Sequence, residues 1–256
     1  MTRRVAMVVG FVAAVGIAVA AGCTDVSGSS TSVLSIQFDT LGAPSVVVGD
    51  TLRDTTGAVI RPVVHAFNFK GEEILPAPVF FLSPDSGLTV DSVTGIVVGD
   101  SLRSTPARIV ATVGRLQAVQ RLNLTLSPDT IVAKNAFDSL LYSISDTTQD
   151  ISPALTVLLT HGAARDSVVP FYIVSFTIVS QPDPQLGELV NDNGRASSVD
   201  TTDATGVAGR KIRLHPLHLG SVTQVDSIIV NATARYHGVV VSGSPVRLVL
   251  LFKPHS

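Results

Sequence analysis

The amino-acid sequence predicts an all-β protein: two antiparallel β-sandwiches in tandem, following an N-terminal signal helix. Three observations predict it. Beyond residue 33, short Val/Ile/Leu/Thr runs are punctuated by Gly, Pro, Asp and Asn at intervals of about ten residues, the spacing of sandwiches and barrels. Several of these runs alternate with period two, which puts one face on a core and the other in water. Beyond the leader, no window of helical length carries a capped 3.6-residue apolar stripe. The stretch 136–144 comes closest and is interrupted by Asp138, Ser139 and Ser143.

The leader is read first. Arg3 and Arg4 give a short positive start, and Val5 to Gly22 then runs without a charged or strongly polar side chain. Such a run enters a bilayer as a helix and leaves the arginines on the cytoplasmic side. It closes on Ala20-Ala21-Gly22-Cys23, and Cys23 is the only cysteine among 256 residues. These residues resemble the lipobox of bacterial lipoproteins, with Ala20 at the position where Leu is usual. The resemblance implies a signal peptide over 1–22 and Cys23 as the lipidation site, carrying a palmitate-type diacylglycerol. The expected partner is then the membrane, reached through that lipid, and the expected location is the bacterial cell envelope with the folded part outside the cytoplasm. About 18 apolar residues also suffice to span a bilayer, so an uncleaved anchor is the alternative. Residues 23–32 are small, polar and Gly/Ser-containing, and read as a flexible tether. Thr24, rather than an aspartate, follows the cysteine, which leaves the destination membrane open.

Charge and composition narrow the function classes. Without residues 1–22 the chain keeps 16 basic and 20 acidic side chains, a formal net of −4. Nucleic acid rewards a concentrated basic surface, so it is excluded as a partner. The densest basic cluster, Arg210-Lys211-Ile212-Arg213, reads as one face of a strand. With its single cysteine in the lipobox, the exported part must fold by burial alone, which domains of about 100 residues can do. Trp is absent, and with it the usual aromatic anchor of sugar sites.

The remaining elements follow the alternation. Ile109, Ala111 and Val113 point one way, against Arg108, Val110 and Thr112. Leu122, Leu124 and Leu126 oppose Asn123 and Thr125, and Ile228, Val230 and Ala232 share a face. Ser127-Pro128-Asp129-Thr130 should end a strand, since proline removes a ladder donor and aspartate favours a turn. The domains expected are therefore 33–127 and 128–254. A near-repeat, Val47-Val48-Gly49-Asp50-Thr51-Leu52-Arg53 against Val97-Val98-Gly99-Asp100-Ser101-Leu102-Arg103, reads as two Gly-Asp turns inside one sandwich. Its flanks do not match and no third copy follows, so it is not taken as a solenoid period.

The first module resembles bacterial Ig-like domains of the group 2 kind. The resemblance runs through residues 46–52, Val79 to Asp85, Val90 to Val97 and Ala107 to Gly114, with Phe80 or Phe81 in place of a core Trp. In this module Ile109, Ala111 and Val113 should pack against inward residues such as Val64, Phe80 and Leu82. The second is similar to invasin- or intimin-type Ig-like repeats, through Val174 to Ile178, Asp200 to Ala208, Ile228 to Ala234 and Val246 to Phe252. In that module Phe176, Ile178, Ile228, Val230, Leu248 and Leu250 should form the core. The segment 180–203 departs from the compact repeat and reads as a mobile loop.

Candidate chemistry is sparse. His215 and His218 have metal-like spacing, yet in extended chain residues three apart face opposite ways. Asp183, Glu188, Asp192, Asp200 and Asp203 make an acidic stretch, but its spacing is not that of a calcium loop; whether any calcium binds in 183–203 is left open. No serine sits in a Gly-x-Ser-x-Gly elbow. His65, His161 and His237 have no partner visible in sequence, and Glu72-Glu73 beside Gly71 reads as a hairpin tip. The chain is therefore expected to be no enzyme, with no catalytic residue, cofactor or metal. The expected role is a lipid-anchored spacer or an adhesion module contacting envelope proteins or glycans. The alternative is a glycan- or small-ligand-binding lipoprotein, for which Tyr142, Tyr172, Tyr236 and ten Phe are the aromatic supply.

Overall fold

The computed structural model describes residues 32–144 and 150–255. The signal helix, Cys23 and nearly all of the tether expected from sequence lie outside the described residues. Within them all regular structure is β, apart from a 3-10 turn at Pro216–His218. The 136–144 stretch whose polar interruptions argue against a helix holds a strand.

The first half of the chain runs β1 (Ser35–Phe38), β2 (Ser45–Val47), β3 (Val64–Phe67), β4 (Phe80–Leu82), β5 (Leu88–Val90), β6 (Val97–Gly99), β7 (Ala107–Val113) and β8 (Leu116–Thr125). A four-stranded sheet has the order β2-β8-β7-β4, and β1-β3 and β5-β6 form two-stranded ribbons. The second half runs β9 (Thr130–Asn135), β10 (Phe137–Tyr142), β11 (Leu155–His161), β12 (Ser167–Val168), β13 (Ile173–Ser180), β14 (Gly187–Val190), β15 (Val199–Thr201) and β16 (Val207–Leu214). It ends with β17 (Asp226–Thr233), β18 (Arg235–Tyr236), β19 (Val239–Val240) and β20 (Val246–Pro254). One sheet is ordered β10-β20-β17-β13-β15. It faces a second, β12-β11-β16-β14, with β9 also on β11.

Both halves depart from a purely antiparallel plan. β2 pairs parallel with β8, and β10 pairs parallel with β20. In each half an early strand thus meets the closing strand running in the same direction. Period-two alternation fixes which face a residue occupies and says nothing about strand direction, so the sequence pattern could not reveal this.

Each half surrounds its own apolar cluster. Val46, Leu52, Phe81, Val97, Ile109, Ala111, Leu122 and Leu124 are buried in the first. Leu140, Tyr142, Val157, Phe176, Ile212, Ile228, Val230, Leu248, Leu250 and Phe252 are buried in the second. Ile178 packs partly buried against that second core, as expected.

Four expectations are corrected. Phe81 is the inward residue of β4 at 8 % exposure, while Phe80 (57 %) and Leu82 (46 %) point outward. A three-residue strand carries too little pattern to fix its own parity. Pairing Phe81 with the inward Ala111 decides it. Val110 and Thr125, assigned to a solvated face, are buried. Val110 lies between Leu82 and Val119 in register, and Thr125 faces the second half of the chain. Arg210 is buried on the core-facing side of β16, where Asp200 pairs with it at 2.9 Å and the carbonyls of Ser197, Gly209 and Val199 accept its N–H groups. The 180–203 segment is no mobile loop: it builds β14 and β15, and its turn 191–196 is tied by bonds into Asn191 Oδ1 from the Asn193 and Arg195 amides, both 3.0 Å.

The near-repeat has a structural meaning of its own. Its two copies lie against each other, with Gly49 N–H donating to Gly99 O at 2.7 Å and Gly99 N–H to Asp50 O at 3.0 Å. Gly99 has to be glycine, because a Cβ there would sit 2.7 Å from Val47 O. The closure leaves the Asp50 carboxylate free to point away from its own core.

Candidate functional site

The densest polar constellation lies where the two halves meet. Asp50 holds the centre. Its carboxylate accepts the Thr51 amide (2.7 Å) and Arg53 Nε (3.2 Å) from its own half. From the other half Tyr236 Oη donates at 3.2 Å and His237 Nε2 makes a short hydrogen bond. Burial raises the Asp50 pKa, but bonds from His237, Thr51 and Arg53 outweigh it, so the pKa ends below the usual carboxylate value. Burial and the neighbouring Asp50 charge push Tyr236 up to about 12. Burial first, then Tyr236 and Asp50, raise the Tyr172 phenol as well.

The partner of Asp50 is delivered by a tight hairpin. β18 and β19 are joined by His237-Gly238, both with positive φ (52° and 77°), the geometry of a two-residue hairpin turn. The tip seats against the 54–57 turn of the first half so closely that side chains do not fit. A Cβ on Gly238 would lie 2.5 Å from Thr56 O, and one on Gly57 would lie 2.6 Å from the His237 carbonyl carbon. A second pair of bonds flanks the first. Ser45 Oγ donates to Phe171 O and Thr125 Oγ1 to Pro170 O, both at 2.6 Å. Thr202 sets that receiving loop, with its hydroxyl donating to Val169 O (2.7 Å) and accepting the Tyr172 amide (2.8 Å). A cavity of about 30 Å³ remains among Pro44, Asp50, Arg53, Tyr172 and Tyr236, room for about one water molecule.

None of this was legible in sequence beyond the Gly-Asp turn that places Asp50. The latch joins residues 186 and 187 positions apart, and no local pattern encodes such a pair.

The other candidates disperse. His215 precedes the 3-10 turn and His218 ends it, both partly exposed, 3.9 Å from Glu188 and 3.7 Å from Asp183 respectively. Asp192 pairs with Lys211 (3.0 Å), Asp200 with Arg210 (2.9 Å), and Asp203 accepts the Thr205 amide (2.7 Å) at a turn. Among the described residues no three His, Cys, Asp or Glu side chains converge to hold a metal ion. His65 pairs with Glu73 at 2.6 Å across a hairpin, which raises its pKa.

Ser127, His161 and Asp129 do come together, yet they cannot relay a proton. Ser127 Oγ (3.0 Å), Ser127 O (2.9 Å) and Asp129 Oδ2 (3.1 Å) all address the same ring nitrogen, Nδ1. A nucleophile–base–carboxylate relay needs the two ring nitrogens to serve opposite partners. The trio ties the 127–129 turn to β11.

The tyrosines of the supposed sugar platform are spent on structure. Tyr142 is buried, with its hydroxyl donating to Gln224 O (3.0 Å), and Tyr172 Oη donates to Arg235 O (2.7 Å).

No family model and no curated protein matches the chain. Solved structures similar to it include domains 5–6 of the S-layer protein SbsC, at 14 % identity over 88 % of this chain and 99 % of that one, with a TM-score of 0.30. Human protocadherin-24 EC1-2 gives 14 % identity over 88 % and 100 %, with a TM-score of 0.27. FdeC, an Escherichia coli adhesin, gives 14 % over 84 % and 63 %, with a TM-score of 0.29. At such scores the likeness transfers neither fold nor function to this chain.

Proposed function

We propose that the chain is a lipid-anchored, non-enzymatic cell-envelope protein. Its two Ig-like sandwiches, 33–127 and 128–254, act as a spacer or as an adhesion and protein-interaction module. The observation that carries the spacer reading is the latch at the joint. Tandem domains usually move relative to each other across small polar contacts. Here Asp50, Ser45 and Thr125 of one half bond to Tyr236, His237, Phe171 and Pro170 of the other, which favours one inter-module angle. The two facing sheets of the second half and the separate apolar cluster in each half support the Ig-like reading. Export and anchoring rest on the leader and on Cys23. The glycan-binding alternative loses ground, because the tyrosines it needs are buried or occupied.

The anchor is tested by Cys23→Ala in a bacterial host fed labelled fatty acid. The substituted chain should take up no label and run as an uncleaved or released precursor. Label on that variant would refute the lipobox. The spacer is tested by distance distributions between spin labels, one on each module, in the full chain. A single narrow peak that broadens in Asp50→Ala is expected, and a broad peak in both would overturn the fixed joint.

A further inference from the structure

We infer that the free end of the first module is a membrane-contact tip, resting in the interface of a phospholipid bilayer beside the acylated cysteine. The inference rests on the anchoring reading and extends it from the lipid to the folded part.

The topology orients the module. β1 enters at Ser35 and the chain leads through Phe38 to Ser45, which lies at the joint. β8 runs the same way, from Leu116 to Thr125 at the joint. Leu34 and the turn that follows β3 are therefore at the end remote from the second module. Leu34 N–H donates to Phe67 O at 2.8 Å, so the entering chain is stitched to that turn.

The exposed side chains there are unusual for a solvated turn. Leu34 is 54 % exposed and Phe69 39 %, and Leu75, 78 % exposed, lies two residues back along the hairpin from Glu73. Lys70 sits 5.7 Å from the Phe69 ring centroid, a cation above an apolar anchor. Arg115, on the β7–β8 turn, is exposed at the same end. Two acids share the turn, Glu72 bonded by Asn68 Nδ2 (2.8 Å) and Glu73 by His65 (2.6 Å), so they offset Lys70 and Arg115 and the contact rests on the apolar side chains. Apolar side chains that bury in the acyl boundary beneath cationic heads are the chemistry of interfacial anchors. The turn itself is held by Asn68, whose Oδ1 accepts the Lys70 (2.8 Å) and Glu72 (3.0 Å) amides, so it presents these residues without having to order on contact.

Chain length supplies the occupant. Ten residues, 24–33, lie between Cys23 and Leu34, making eleven Cα–Cα steps. Fully extended they reach at most about 40 Å, and a Gly/Ser-rich chain of that length averages about 18 Å end to end. A tip tethered so briefly to an acylated residue stays at the lipid surface. The diacylglycerol expected on Cys23 supplies two acyl chains, enough for stable attachment, so the tip contact would set how the module rests on the lipid and not whether it stays there.

The chain has no Trp, so Phe69→Trp creates a single indole reporter in the full-length protein. The acylated protein is placed on vesicles of phosphatidylethanolamine and phosphatidylglycerol, with and without brominated lipid. Phe69→Trp emission should shift to the blue and lose intensity on brominated vesicles. Leu217→Trp, in the second module, should do neither. Unshifted, unquenched emission from vesicle-bound Phe69→Trp would overturn the tip while leaving the anchor standing. A Cys23→Ser background separates the two readings. Vesicle binding lost with acylation shows that the anchor carries attachment. If the chain proves never to be acylated, quenching of Phe69→Trp still supports the tip, and its absence ends the proposal. Quenching of both reporters alike would also overturn it, since contact would then not be confined to this end.

Discussion

The two halves of the chain solve the same packing problem with unequal means. The second lays down two facing five-stranded sheets around Phe176, Leu248, Leu250 and Phe252. The first divides its strands into a four-stranded sheet and two ribbons, and four of its eight strands are three residues long. What it lacks in sheet it makes up with polar ties. Among the described residues, Asp54, Asp85 and Asp91 of the first half and Asp203 of the second have pKa values held below the ordinary carboxylate value, as does Asp50, which His237 of the second half helps to lower. Burial is non-directional and long strands supply it cheaply. Short strands joined by long turns depend on carboxylates that accept backbone and arginine N–H groups.

The largest expected effect tests the burial side. Phe176→Ala should cost about 3–5 kcal/mol, lowering the melt of the second half while the first half's transition moves little. Equal shifts in both transitions, read by denaturation with a probe in each half, would show one intertwined unit in place of two.

Acid should invert the ranking. The Asp85 pKa is brought down to about 2, chiefly by the Arg108 side chain and amide, with Arg103 adding to it. A folded pKa below the unfolded value of 3.8 means that the stabilisation is present above that value and disappears as pH falls through the folded one. Asp54, Asp85 and Asp91 tie the first half internally, which predicts that it loses stability before the second as pH drops from about 4 to about 2. Melts recorded across that window check it, and a second half that fails first would break the comparison.

A smaller effect is expected at the joint. Gly238→Ala combines a positive φ with a clash on Thr56 O and should cost about 1–3 kcal/mol. The cost should appear as faster amide exchange in 54–57 and 235–240, with both cores intact. Unchanged exchange there would mean that the latch does not bear on the joint.

The smallest effect sharpens the parity of β4. Phe80→Ser should change stability by no more than about 0.5 kcal/mol. Phe81→Ser at the next position should unfold the first half. Comparable costs for the pair would put the wrong phenylalanine in the core.

Long strands were readable because each repeats its pattern enough times to fix face and burial. Ile109-Ala111-Val113, Leu122-Leu124 and Ile228-Val230-Ala232 all lie inward as their alternation requires. β4 was misread for the opposite reason, since three residues hold a single ambiguous period. Arg210 was misread because a charged side chain on a core-facing position is legible only once Asp200 and the turn carbonyls that neutralise it are in place.

The sequence by itself determined the all-β class, the turns and most of the inward faces, since these follow from propensity and local periodicity, properties of neighbours along the chain. Tertiary structure alone decided the parallel pairings, the mutual packing of the two Gly-Asp copies and the Asp50–His237 latch. Each joins groups far apart along the chain, and the free energy of such a contact depends on positions in space that no local pattern specifies.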